Sequence, residues 1–198
     1  MGDSVVIHLI RHEKTKGNME RKYVGWTDES IVNQNITCNI PIKTNVVYGS
    51  DLKRCYETST LYFPTANFEG YPDLKELYFG DFEMKTYDEL KDLPIYREWI
   101  DLPRTVTPPN GESFQNFEKR VLDCFQRIVN KKGEYVFIVH GGVIRLLLSK
   151  FLMDKDFQDI HAEHRTIYTL QWPNIQLFKG GVGCTQLSVV PITVKENL

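Results

Sequence analysis

No stretch of this 198-residue sequence stays apolar for the ~20 residues that a membrane-spanning helix needs. The start of the chain carries Asp3 and lacks a basic segment followed by a long apolar run. That predicts no secretory signal, a cytoplasmic location and no membrane partner. Charge of one sign is missing too: 24 Lys and Arg stand against 26 Asp and Glu, a net charge of -2. With no basic excess to attract a phosphodiester backbone, no nucleic-acid partner is expected. Cysteine is scarce. Cys38, Cys55, Cys124 and Cys184 are far apart and form no CxxC pair, which argues against a disulfide framework and for free thiols. Thirteen glycines and nine prolines are too few for a collagen-like or linker-like chain. Repeats and low-complexity segments are absent. A prior of roughly 150 residues per domain then gives a single domain over 1–198. A chain this long buries roughly 70% of its unfolded surface and needs no metal to fold.

What is present is a set of short apolar runs that end in polar punctuation. Val5 to Ile10 reads as a buried strand that breaks abruptly into Arg11 and His12. Asn45 to Tyr48 reads as a second strand, and Leu52 to Phe63 as a helix stopped by Pro64. Residues 64–111 hold six prolines and many aromatics, with short helices near Thr86–Leu90 and Ile95–Ile100; they read as an inserted lid. Glu112 to Val129 carries apolar residues at helical spacing. Tyr135 to Val139 is a strand that runs into His140, Gly141 and Gly142, followed by a helix over Val143–Phe151. Strands are expected at Thr166–Trp172, Ile175–Phe178 and Thr185–Val190, with Pro173 and Asn174 turning the first two into a hairpin. The pattern predicts a three-layer α/β/α fold on a mostly parallel mixed sheet.

His12 and His140 therefore leave the ends of two apolar strands, where open α/β sheets bind ligands. Arg11 and Arg54 add guanidinium groups suited to phosphate, and a helix start after His140 adds backbone N–H groups. Each residue alone has a plainer reading. A strand-end histidine is more often an ordinary polar residue, Arg54 a solvated helix residue, and Glu76 one carboxylate among rivals Asp81 and Glu83. His161 and His164 make too weak a pair for a metal site. Composition and spacing alone reach an anion site and no further.

Six blocks in order carry a resemblance. They are Leu9–Thr15 (LIRHEKT), Tyr23–Asp28 (YVGWTD), Ser50–Thr58 (SDLKRCYET), Leu74–Gly80 (LKELYFG), Pro109–Ser113 (PNGES) and Val139–Arg145 (VHGGVIR). Together they resemble the histidine phosphatase, or phosphoglycerate mutase-like, superfamily. The resemblance implies that fold and a phosphomonoesterase that uses no metal or cofactor. It implies His12 as the nucleophile that becomes a phosphohistidine and Glu76 as the proton donor. Arg11, Arg54 and His140 would hold the phosphoryl oxygens, helped by Asn18 and Gly141. Thr15, Tyr23 and Glu112 are candidates for the substrate rim, Glu112 alternatively for capping the helix that follows, and His164 for a place nearby.

Two departures stand out. Glu13 occupies the place of the family glycine, and it is expected to point outward or to pair with Lys14 or Lys16. Ser30 to Asn45 lacks the helix pattern of the family, which would open the pocket on one side or expose an edge for a homodimer. The lid is aromatic more than basic, so hydrolysis is favoured over mutase chemistry. The branch with the most similar blocks is that of the α-ribazole phosphatases, which makes α-ribazole 5′-phosphate the leading small-molecule substrate. A sugar- or nucleotide-phosphatase is the near rival. Mutase-type transfer and a catalytically weak phospho-ligand-binding protein are the alternatives.

Overall fold

The computed structural model describes residues 3–33 and 36–196. Strand β1 (Val5–Arg11) lies inside a six-stranded mixed sheet with β3 (Val46–Gly49), β4 (Asn67–Gly70), β5 (Gly133–Val139), β6 (Thr166–Trp172) and β7 (Gln186–Pro191). The order is β4-β3-β5-β1-β6-β7. The pairs β3–β4, β3–β5 and β1–β5 are parallel, and β1–β6 and β6–β7 are antiparallel. A two-stranded sheet pairs β2 (Ile36–Asn39) with β8 (Thr193–Glu196).

Alternation along the central strands divides the interior in two, because successive side chains of a strand point to opposite faces. Tyr135, Phe137 and Val139 enter the larger core, and Val136 and Ile138 enter the smaller one. Helix α2 (Lys53–Tyr62) covers the small core through Cys55 and Tyr62. The large core is covered by α5 (Phe114–Ile128) and α6 (Gly141–Leu152). The stripe Phe114, Phe117, Val121, Cys124, Phe125 and Ile128 faces inward on α5, as its spacing predicts. Ser113 caps this helix, its hydroxyl accepting the Asn116 N–H.

Residues 64–111 begin with edge strand β4 and then fold over the sheet end with α3 (Tyr87–Leu90) and α4 (Pro94–Asp101). Thr15 caps the short helix α1 (Lys16–Met19). Ile175–Lys179 is a helix, α7, and not the expected strand. A short apolar run has no period that separates the two states. Here the Asn174 side chain accepts the Leu177 N–H at 2.9 Å, so Asn174 starts a helix instead of turning a hairpin. Ser30–Asn45 contributes β2, whose pairing edge is taken by β8, and Cys38, Ile40 and Ile42 pack on the small core. Gln34 and Asn35 of that segment lie outside the described residues.

Candidate active site

Register brings the two histidines together. Strands β1 and β5 run parallel with Arg11 opposite Val139, so the next residue of each strand, His12 and His140, leaves the sheet side by side. The His12 N–H donates to the Val139 carbonyl at 3.0 Å. The two rings stand edge to face with centroids 5.1 Å apart.

His12 is buried and locked. Its Nδ1 lies 2.7 Å from the Glu13 carbonyl, which can only accept, so Nδ1 carries the proton and Nε2 keeps a lone pair. Burial first, then Arg54 and Arg11, hold this imidazole well below the ordinary histidine value. His164 closes the far side, 5.7 Å from the His12 ring, and donates from Nδ1 to the His12 carbonyl at 2.7 Å. Burial pushes His164 down to about 3.

Arg54 is fully buried. Nη1 donates to the Thr27 carbonyl at 2.9 Å, Nη2 to the Gly25 carbonyl at 2.6 Å, and Nε to His140 Nδ1 at 3.2 Å. A guanidinium only donates, so His140 Nδ1 accepts and Nε2 carries the hydrogen. Of the five N–H groups of Arg54, one on each terminal nitrogen stays uncommitted. The loop that supplies those carbonyls is organised by Glu83. Its carboxylate accepts the backbone N–H of Gly25, Trp26 and Thr27, and the Thr27 hydroxyl at 2.8 Å. A side chain at Gly25 would collide with Glu83 and with the Leu77 carbonyl. Glu83 is thus a loop anchor and Asp81 an exposed partner of Asn110.

Glu76 lies at the start of α6. Its Oε2 accepts the Gly142 N–H at 2.7 Å and its Oε1 the Leu77 N–H at 2.9 Å. The Gly142 N–H, expected to face an anion, is therefore taken by this carboxylate. The Glu76 carbonyl accepts from Trp26 Nε1 at 2.9 Å and from Arg120 Nη2 at 2.8 Å. Arg120 spends its remaining donors on the Asp73 and Lys75 carbonyls and on Glu112. Glu112 pairs with Arg120 through both carboxylate oxygens, and Ser113, not Glu112, caps the helix that follows.

Arg11 Nη1 donates to the Ala162 carbonyl at 2.8 Å, while Nε is buried with no protein acceptor. Its guanidinium packs on Gly141, where a Cβ would come within 3.2 Å of Cζ. Asn18 Oδ1 accepts the Thr15 N–H at 3.2 Å, which leaves its amide nitrogen as a donor. Thr15 is buried and caps α1.

Glu13 corrects the expectation most sharply. It is 2% exposed and points inward, away from Lys14 and Lys16. Arg165 Nε reaches its Oε1 at 3.0 Å, and the Tyr62 hydroxyl donates to the same oxygen. Its charge is therefore matched on the far side of the loop.

A cavity of about 730 Å³ opens above this arrangement. Arg11, Glu76, Gly141 and Gly142 line it together with the aromatic Tyr23, Phe79, Trp99 and Phe157; His12, His140 and Arg54 are buried and are not among its lining residues. Arg145 also lines it. No described residue of the Ser30–Asn45 segment lines it. Among the described residues no group of three or more His, Cys, Asp or Glu is placed to hold a metal ion. No described helix is long and apolar enough to cross a membrane.

A family model, "Histidine phosphatase superfamily (branch 1)", matches residues 39–177. That span holds Arg54, Glu76 and His140; Arg11 and His12 precede it and join them through the β1–β5 register. The chain is 29% identical to the adenosylcobalamin/alpha-ribazole phosphatase of Salmonella typhimurium over 161 residues, 73% of this chain and 78% of that protein. It is 31% identical to phosphoglycerate mutase-like protein 4 of Arabidopsis thaliana over 164 residues, 75% of this chain and 71% of that one. The crystal structure of the alpha-ribazole phosphatase from Shigella flexneri has the same fold, with a TM-score of 0.71 at 24% identity over 83% of this chain and 89% of that chain.

Proposed function

The chain belongs to the histidine phosphatase superfamily, and from that membership we propose that it hydrolyses a small organic phosphomonoester through a phosphohistidine on His12. Hydrolase chemistry of this type is the family-level activity. The observation that carries the reading is the tautomer of His12: Nδ1–H is committed to the Glu13 carbonyl, so Nε2 is left as the nucleophile.

In this reading Nε2 bonds to phosphorus as the ester P–O bond breaks. Arg11 and the uncommitted N–H groups of Arg54 stabilise the charge on the phosphoryl oxygens, whereas the Nε2–H of His140, expected to join them, lies 3.7 Å from the Cys55 Sγ, so His140 supports Arg54 through Nδ1. Asn18 adds a neutral donor. Glu76 delivers a proton to the leaving oxygen. It then takes one from the water that breaks the P–N bond, so phosphate leaves and His12 returns to its starting state. The arginines supply the positive field, and no step calls for a metal.

For the substrate we favour α-ribazole 5′-phosphate. The similarity to the Salmonella enzyme supports it, as does a cavity walled by Tyr23, Phe79, Trp99 and Phe157, which suits a flat organic leaving group. Mutase-type transfer is the second reading, and Arg145, a second guanidinium on the cavity wall, is the observation for it. We place the reaction in the cytoplasm, in keeping with four free cysteines.

The test is phosphate release from a panel of α-ribazole phosphate, sugar phosphates, nucleotides, phosphotyrosine and 3-phosphoglycerate, with EDTA present. Turnover that vanishes in His12→Ala, with labelled phosphate trapped on the unmodified protein alone, is the expected result. Isomerised 3-phosphoglycerate without net release would instead select the mutase reading.

A further inference from the structure

Only two buried side-chain polar atoms among the described residues lack a protein partner: Arg11 Nε and the indole Nε1 of Trp99. Both residues line the same cavity. Arg11 is accounted for by the phosphoryl group. Trp99 is not. It is 6% exposed, on α4 of the lid, edge-on to Tyr23 with centroids 5.5 Å apart. The other two tryptophans both find acceptors, Trp26 at the Glu76 carbonyl and Trp172 at the Val182 carbonyl. An indole N–H can only donate, and a buried donor without an acceptor disfavours the fold that holds it. Trp99 borders the cavity, and a ligand atom that reached this N–H would supply the missing acceptor.

We infer that Trp99 is a specificity-determining residue whose indole N–H reads a hydrogen-bond acceptor on the leaving group. The substrate class is an ester of an alcohol that carries a flat apolar ring with a neutral acceptor, such as a ring nitrogen. Tyr23, Phe79 and Phe157 pack on the ring. The carboxylates of Asp101 and Glu163 on the same lining disfavour an anionic acceptor. This rests on the phosphomonoesterase reading and deepens it.

The test compares naphthyl phosphate with the positional isomers of quinolinyl phosphate, which exchange one ring C–H for an acceptor nitrogen. In Trp99→Phe, kcat/KM for the best quinolinyl ester should fall about fivefold relative to naphthyl phosphate, the share of one neutral hydrogen bond. An unchanged ratio, whether both rates hold or both fall, overturns the inference. If Trp99→Phe does not fold, the unmodified protein decides: the best quinolinyl methylphosphonate should inhibit or bind about fivefold more tightly than its naphthyl counterpart, and equal binding across all isomers overturns it. Absence of turnover on every ester would count against the phosphatase reading, while the phosphonate comparison still judges Trp99.

Discussion

Glu76 places a carboxylate oxygen 2.7 Å from the backbone nitrogen of Gly142, in the first turn of the helix that follows His140. The contact ties the residue assigned as proton donor to the segment that carries the second histidine. It is possible because Gly142 has no side chain: a Cβ there would stand 2.2 Å from Glu76 Oε1.

Gly142→Ala should therefore act on chemistry and spare the fold. Alanine suits a helix better than glycine by roughly 0.5–1 kcal/mol, and the atom it displaces is the end of a side chain. We expect kcat on a phosphomonoester to drop by about 100-fold, as a displacement of about 1 Å does in other sites, with a melting temperature close to that of the parent. Steady-state kinetics beside a calorimetric scan would check both, and an unaltered kcat would remove Glu76 from the reaction.

Arg120 is expected to position Glu76 from behind. It donates to the carbonyls of Asp73, Lys75 and Glu76 while Glu112 neutralises it. Lysine cannot span this planar fork. Arg120→Lys should lower kcat by tenfold or more with a smaller change in KM, and Glu112→Gln should do the same more mildly. A change confined to KM would show that Arg120 shapes the cavity and not the proton donor.

The pair of buried Glu13 and half-exposed Arg165 should respond unequally to truncation. Glu13 has 2% of its side chain exposed and Arg165 29%. Arg165→Ala strands a carboxylate in the interior with only Tyr62 and costs about 3 kcal/mol or more. Glu13→Gln leaves a neutral group that still accepts from Tyr62 and a half-wet guanidinium, and should cost less. Urea unfolding of both variants gives the comparison; equal costs would contradict the assigned burial.

Stability should fall in mild acid. His12, His140 and His164 are all held below 6.5 when folded, chiefly by burial. The unfolded chain then binds more protons below that value, so stability is fully present above pH 6.5. It is lost progressively as pH falls toward about 3, where His164 is protonated. Melting temperature measured from pH 7 to pH 4 should decline, and less steeply in His164→Asn. A flat profile for the parent would show that these imidazoles are not desolvated as described.

Much of this was legible in one dimension. The strands β1 and β5 announce themselves by β-branched runs that break into Arg11–His12 and His140–Gly141, and α5 by its apolar period. Local pattern is enough for such elements because one side of each must be buried. It failed at Ile175–Lys179, where three apolar residues in a five-residue segment are too few to set a period and an asparagine cap decided the state.

The order of residues along this chain determines which groups can act: a histidine at the end of each of two strands, arginines beside them and a carboxylate in the lid. Burial and partners belong to the tertiary structure alone. Only the fold shows that Glu13 turns to Arg165, that Glu112 holds Arg120, and that Glu83 shapes the loop around Arg54. Only the fold gives His164 its place behind His12. Apart from Glu112 and Arg120, eight positions apart, these contacts join residues dozens to more than a hundred positions apart, and a charge has no local signature of the partner that it meets. Sequence spacing fixes the direction of a backbone; the environment that sets a side chain's proton, rotamer and role comes from chain segments that fold in from elsewhere.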